Sequence, residues 1–264
     1  MTSVEHAGRQ IYYDDSGGDL PPLVLLQGFM ASRTIWKWQL EVFTPRYRVI
    51  TMDNRDAGES DPEPTTYTVA DMAGDVVALL DHLGIERATI LGHSMGGYIA
   101  LQFATRYPER LDKLILVGTS ALAGGALGRP APTYDHSTWI EDPFERTFRR
   151  YSNMTGPGFF DTRPELLAAI AETARGNRIS FEGMTRQSDS AFMSHDVRAD
   201  MPKIAVPVLV IHGTVDPTIP LSAGRKIAEA IPNAQLVEFD NVGHLPHLER
   251  TEEFNRIVLD FLAK

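Results

Sequence analysis

Short uninterrupted apolar runs recur along the chain, separated by stretches in which apolar residues return every three or four positions. The runs are Leu23 to Leu26, Arg48 to Met52, Ala88 to Leu91, Leu114 to Val117, Val208 to Ile211 and Leu236 to Phe239. They are rich in Val, Ile and Leu and show little polar alternation, as strands buried on both faces of a parallel sheet do. The intervening stretches Val69 to Leu83, Met95 to Tyr107, Leu221 to Ile231 and Glu252 to Leu262 have helical length and one apolar face. The opening segment Val4 to Asp15, with Ala7-Gly8-Arg9 as its turn, reads as an antiparallel hairpin on one edge. Six runs and the two hairpin strands predict a mostly parallel eight-stranded sheet flanked by helices, an α/β fold.

One interval breaks the rhythm. From Ala121 to Ile204 there is no convincing buried strand. It begins with a Gly/Pro-rich piece, Gly124-Gly125 to Pro132, and continues with helical patterns at Phe144 to Arg150 and Pro164 to Arg175. So long a structureless loop between core strands is uncommon. The expected organisation is therefore a core from residues 1–120 and 205–264, with 121–204 as a helical cap between core strands 6 and 7. Segments inserted at the carboxyl ends of parallel strands usually cover the ligand crevice.

Composition narrows the function. The 264 residues carry 25 basic and 35 acidic side chains, a net charge of −10, and the nearest approach to a basic run is Arg149-Arg150. Nucleic acid and anionic membranes are poor partners for such a surface. There are no cysteines, so disulfides, thiolate metal sites and a cysteine nucleophile are excluded. The N-terminus shows no secretory signal, and no apolar stretch approaches bilayer-spanning length. The expectation is a cytoplasmic enzyme acting on a small molecule, monomeric or a small homo-oligomer.

The chemistry enters at Ala88 to Ala100. An apolar strand runs directly into Gly92-His93-Ser94-Met95-Gly96 and then into a helix. This is the G-x-S-x-G elbow in its strand–turn–helix context, with Ser94 as the candidate nucleophile. Side chains at Gly92 and Gly96 would meet neighbouring backbone, and the tight turn strains the serine. Ser94 also opens a helix, where free N–H groups favour developing negative charge.

With this elbow the chain resembles the α/β-hydrolase family along essentially its whole length, and most closely the small capped bacterial esterases and enol-lactonases. The resemblance implies a triad in the order Ser, acid, His. The acid follows the strand after the cap, which selects Asp216 in Gly213-Thr214-Val215-Asp216-Pro217; the histidine follows the last strand, which selects His244 after Gly243. His247 and Asp240 are the competing base and acid, and the family order favours neither. A serine hydroxyl needs a base near neutral pH, and the acid fixes the histidine tautomer. The resemblance also implies an oxyanion hole from the backbone N–H groups of Met95 and Phe29, the latter in Gln27-Gly28-Phe29-Met30-Ala31.

Two positions depart from the family. Gln27 stands where histidine is common, and its amide is expected to hydrogen-bond the loop. Asp53 to Ser60 follows the family's D-x-R-G-x-G-x-S pattern with Asp56 in place of the first glycine. Met30, Trp139, Phe144, Phe148 and Leu245 are the expected pocket lining, and the cap arginines Arg146, Arg149, Arg175 and Arg186 are candidate anchors for an acidic substrate. The implied activity is hydrolysis of a carboxylic ester or lactone through an acyl-serine, with no metal or organic cofactor. The alternatives are a C–C bond hydrolase of ring-cleavage products or a perhydrolase on the same triad, and a non-catalytic small-molecule receptor.

Overall fold

The computed structural model describes residues 2–122, 134–193 and 195–264. The Gly/Pro-rich piece from Gly124 to Pro132 lies outside the described residues. Eight strands form one sheet: β1 (Thr2–His6), β2 (Arg9–Asp15), β3 (Pro22–Leu26), β4 (Arg48–Met52), β5 (Ala88–His93), β6 (Leu111–Val117), β7 (Val208–Gly213) and β8 (Ala234–Phe239). Their order is β1-β2-β4-β3-β5-β6-β7-β8. The hairpin β1–β2 is antiparallel and joins β4 antiparallel, while β4, β3, β5, β6, β7 and β8 pair in parallel. The strand order reverses around β3 and β5, so the loops leaving their carboxyl ends face a crevice.

The helices are α1 (Lys37–Phe43), α2 (Val69–His82), α3 (Met95–Arg106), α4 (Pro143–Tyr151), α5 (Pro164–Thr173), α6 (Phe181–Met193), α7 (Leu221–Ala230), α8 (Pro246–Glu249) and α9 (Thr251–Leu262). Local chemistry sets several starts. Thr68 and Asp71 form a reciprocal capping box at α2, and Asp142 with Pro143 opens α4. Alternate residues of each strand feed opposite cores. Val24, Leu26, Ile90, Leu114 and Val210 face a cluster with α2, α3 and α7. Leu23, Leu25, Leu91, Ile115 and Ile211 face a second cluster with Trp36, Phe43, Phe254 and Phe261.

Among the described residues, three α-helices, α4, α5 and α6, lie in the long interval between β6 and β7. Its two ends are held together, because Leu122 and Asp196 form an antiparallel bridge and the Val197 N–H donates to the Ala121 carbonyl at 3.0 Å. Tyr151, Met154, Phe160, Leu167 and Ile170 pack into the second cluster. The segment is thus anchored by burial as well as by its ends.

Asp56 shows why glycine is absent from its turn. Its φ is 63°, a left-handed conformation that Asp tolerates better than most residues. Its carboxylate then accepts from the Glu63 N–H at 2.9 Å and pairs with Arg186 of α6 at 2.7 Å. Nearby, the fully buried Asp53 carboxylate takes the Arg33 N–H at 2.7 Å, the Glu59 N–H at 3.0 Å and the Arg33 guanidinium. Arg33 also reaches Asp14 and Glu59, each at 2.7 Å. This network joins the loops after β3 and β4. Replacing Arg33 with Met leaves Asp53 as an uncompensated buried charge, so a loss of about 3–5 kcal/mol is expected from the urea midpoint at neutral pH. A loss below about 1 kcal/mol would show that the network contributes no more than a surface pair.

Candidate active site

Four loops leaving the carboxyl ends of β3, β5, β7 and β8 converge. Ser94 sits between β5 and α3 with φ 54° and ψ −119°. A Cβ on Gly92 would stand 2.3 Å from the Gly96 carbonyl oxygen, and one on Gly96 would stand 2.1 Å from that of Leu26. No side chain fits between these backbones. The Ser94 N–H donates to the Val117 carbonyl at 2.9 Å, and its carbonyl accepts the Thr119 hydroxyl at 2.8 Å. These contacts hold the strained residue.

His244 Nε2 lies 2.9 Å from Ser94 Oγ, and His244 Nδ1 lies 2.7 Å from Asp216 Oδ2. Both the His244 and Asp216 side chains are fully buried. The other Asp216 oxygen accepts the N–H groups of Thr218 and Ile219 at 2.7 and 2.9 Å. Burial alone would raise this carboxyl; the His244 charge and hydrogen bonds from His212, His244 and the Ile219 backbone outweigh it and hold it well below the usual carboxylate range. Asp240 is exposed and, among the described residues, bonds to Thr214 and Asn241, away from these groups.

The His244 loop is held by a residue that motif reasoning passed over. Glu249 is buried, and its carboxylate accepts the N–H groups of Gly243 at 3.0 Å, Leu245 at 3.2 Å and Gly156 at 2.7 Å. Those bonds span both sides of His244 and reach into the interval between β6 and β7. The His244 N–H itself donates to the Met154 carbonyl at 2.7 Å. Its position in the His-x-x-x-x-Glu spacing was the available signal.

The loop after β3 crosses the serine. A Cβ on Gly28 would stand 3.1 Å from Ser94 Cβ. The expectation for Gln27 is corrected: its amide is buried, and neither its Oε1 nor its Nε2 has a partner among the described residues. Amides from elsewhere brace the loop. Asn54 donates to the Gln27 carbonyl at 3.2 Å, Gln187 Oε1 accepts the Met30 N–H at 3.0 Å, and Asn177 donates to the Met30 carbonyl at 2.8 Å. The Phe29 N–H has no acceptor among the described residues. Met95 N–H opens α3 beside the serine.

Of the expected pocket residues, Met30 and Trp139 line a cavity of about 290 Å³. Phe144 and Phe148 stack on each other with ring centroids 6.0 Å apart, and Leu245 is fully buried in the second cluster. These three do not line that cavity.

Two further histidines pack beneath the site. His93 donates from Nε2 to the His244 carbonyl at 2.9 Å, and its ring lies 4.6 Å from that of His247. His247 also rests on Trp36 at 5.1 Å and has no partner on Nδ1 among the described residues. Burial lowers both, with neighbouring imidazoles adding to it, and His247 falls to about 3. His212 donates to the Ile219 carbonyl at 2.9 Å and stands 3.4 Å from the Asp216 oxygen that His244 contacts.

A sequence model of the family described as alpha/beta hydrolase fold matches residues 21–251. The chain belongs to this family and is a hydrolase. It is 32% identical over 270 residues to a putative carbamate hydrolase, RutD, from Caulobacter sp. strain K31, covering 96% of each chain. It is 32% identical over 266 residues to a 2-hydroxy-6-oxononadienedioate/2-hydroxy-6-oxononatrienedioate hydrolase from Burkholderia vietnamiensis, covering 97% of this chain and 91% of that one. The crystal structure of the enol-lactonase from Burkholderia xenovorans LB400 superposes with a TM-score of 0.83 at 28% identity, covering 98% of each. No helix among the described residues is long and apolar enough to cross a membrane.

The buried neutral histidines make stability depend on acid. In the unfolded chain His247 binds its proton near 6.5, whereas in the fold it stays neutral down to about 3. Between those values the unfolded state holds more protons, so stability is full above the ordinary value and falls as the pH drops. His247→Phe should make the fall shallower by about 1.4 kcal/mol per pH unit within that window. Denaturant titrations at stepped pH measure it; an unchanged slope would mean that His247 is protonated within the folded protein.

Proposed function

We propose that this protein is a serine hydrolase that cleaves a carboxylic ester or lactone through an acyl-serine intermediate. The observation that carries the reading is the continuous pair of hydrogen bonds from Ser94 Oγ to His244 at 2.9 Å and from His244 to Asp216 at 2.7 Å. Ser94 is the nucleophile and gives its proton to His244 Nε2 as it attacks the substrate carbonyl. Asp216 keeps the Nδ1 proton on the ring and stabilises the imidazolium that forms. The N–H groups of Phe29 and Met95 receive the oxyanion. His244 then protonates the leaving alkoxide and activates water to hydrolyse the acyl-serine.

Residues 121–204 act as a cap over this centre, and 1–120 with 205–264 form the catalytic core. The cap excludes water, which strengthens each electrostatic contact inside. Its Asn177 and Gln187 also grip the loop that supplies the Phe29 N–H. A second reading, C–C bond hydrolysis of a ring-cleavage product, rests on the relative from Burkholderia vietnamiensis. It uses the same three residues and differs in the bond broken.

The two readings separate on simple substrates. Hydrolysis of 4-nitrophenyl acetate and of a lactone panel is expected, with Ser94→Ala reducing turnover to background and Asp216→Asn lowering kcat by roughly 10²–10⁴. Retained activity in Ser94→Ala, or a larger loss in Asp240→Asn than in Asp216→Asn, would overturn the assignment. Turnover of a 2-hydroxy-6-oxo-dienoate with no ester or lactone activity would favour the second reading.

A further inference from the structure

The cavity of about 290 Å³ against Met30 has an apolar wall of Met30, Trp139, Phe181 and Met184, yet three arginines of α4 also line it. Two of the three are committed. Arg149 pairs with Glu145 at 2.5 Å on the exposed side of the helix. Arg146 is buried over the Trp139 ring and donates to the carbonyls of Ile140 and Glu141 at 2.8 and 3.1 Å. Arg186, outside this wall, is held by Asp56, and Arg175 by Glu172.

Arg150 differs. It is half-buried, and among the described residues its guanidinium makes no hydrogen bond or ion pair. Its neighbours are aromatic faces: Phe29 at 5.4 Å and Tyr151 at 5.6 Å. Stacking leaves the in-plane N–H donors of a guanidinium available. The chain between 123 and 133, outside the described residues, contains no Asp or Glu. The one acid on the cavity wall is Asp135, exposed and accepting the Ser137 N–H at 2.9 Å at the start of its own turn. Burial lowers the Arg150 guanidinium, against a smaller opposing effect from Tyr151 and Tyr134. A desolvated cation without a counter-ion is costly unless a ligand supplies one.

We propose that Arg150 anchors a free carboxylate on the substrate, so that the ester or lactone cleaved here is one carrying a second, ionised acid group. The inference rests on the hydrolase reading, and it adds the substrate class. Phe29 ties the two functions together, because its ring lies against Arg150 while its N–H is the proposed oxyanion donor. A carboxylate held by Arg150 would register the acyl chain so that the scissile carbonyl reaches Ser94. The bidentate fork of Arg suits a planar carboxylate.

The test uses a matched pair, 4-nitrophenyl hydrogen adipate and 4-nitrophenyl hexanoate, which differ in a terminal carboxylate against a methyl. Arg150→Met should lower the adipate-to-hexanoate ratio of kcat/KM by about tenfold or more, while Arg150→Lys, which keeps the charge and loses the fork, should lower it by less. A second arm needs no turnover: adipate binding to the Ser94→Ala protein, read by tryptophan fluorescence, should weaken by a similar factor in Ser94→Ala/Arg150→Met. If esters are hydrolysed but the ratio stays within about threefold, or falls equally in the Lys variant, the anchor is wrong and the hydrolase reading stands. If no ester is hydrolysed but adipate binding is lost with Arg150, the anchor stands and the ester and lactone reading fails.

Discussion

The backbone of Ser94 is the constraint on which the site depends. A non-glycine residue at φ 54° and ψ −119° carries strain of about 1–3 kcal/mol and persists only where its surroundings leave it no alternative. Here they do so through backbone packing. The elbow presses so closely on the end of β3 that Gly96 touches the Leu26 carbonyl, while Val117 at the end of β6 and Thr119 just beyond it hold the serine's own N–H and carbonyl. The parallel order β3-β5-β6 makes these approaches possible. The same packing aims the hydroxyl at the crevice and stacks the loop of Phe29 above it.

The remaining parts are positioned by polar side chains, some local and some arriving from far along the chain. Glu249 collects the N–H groups on both sides of His244 together with Gly156. Asn177 and Gln187 take the two backbone groups of Met30. Asp56 pairs with Arg186. Each contact joins separate segments of the chain, and a lone break would strand a buried counterpart. The interval between β6 and β7 is therefore built into the geometry of the site, and the apolar residues on its wall are a separate contribution. On the proposed reading, different side chains of one segment divide the work: Asn177, Gln187 and Arg186 brace the loops, while Arg150 holds the substrate's carboxylate.

The sheet was legible because buried parallel strands leave long apolar runs, and the edge hairpin because its turn residues interrupt an alternating pattern. Ser94 was legible from its own neighbours. Asp216 and His244 were not: two acids and two histidines compete near the last strands, and only the order of elements in a resembling family separates them. Helix α1, opened by Trp36 and short, shows too little periodicity to announce itself. Helix α6 is hidden by Gln187, Ser188 and Ser190, polar residues that are buried, Gln187 because it braces the loops at Met30 and Arg55. The loop after β3 misled for the same reason. Gln27 looks like its local brace, yet the brace for Met30 comes from Gln187, 157 residues away. Local sequence reports propensity and packing faces; it does not report which distant amide will satisfy a buried carbonyl.

The central claim is that a covalent bond forms on Ser94 during turnover. Rapid acid quenching of the protein with a slowly deacylated 4-nitrophenyl ester, followed by proteolysis and mass spectrometry, reads this directly. The account predicts one acyl adduct, on the peptide containing Gly92 to Gly97 and at Ser94 itself, formed at a rate that matches the release of nitrophenol. Steady hydrolysis with no acyl group on Ser94 at any quench time, or with the adduct on another residue, would contradict it.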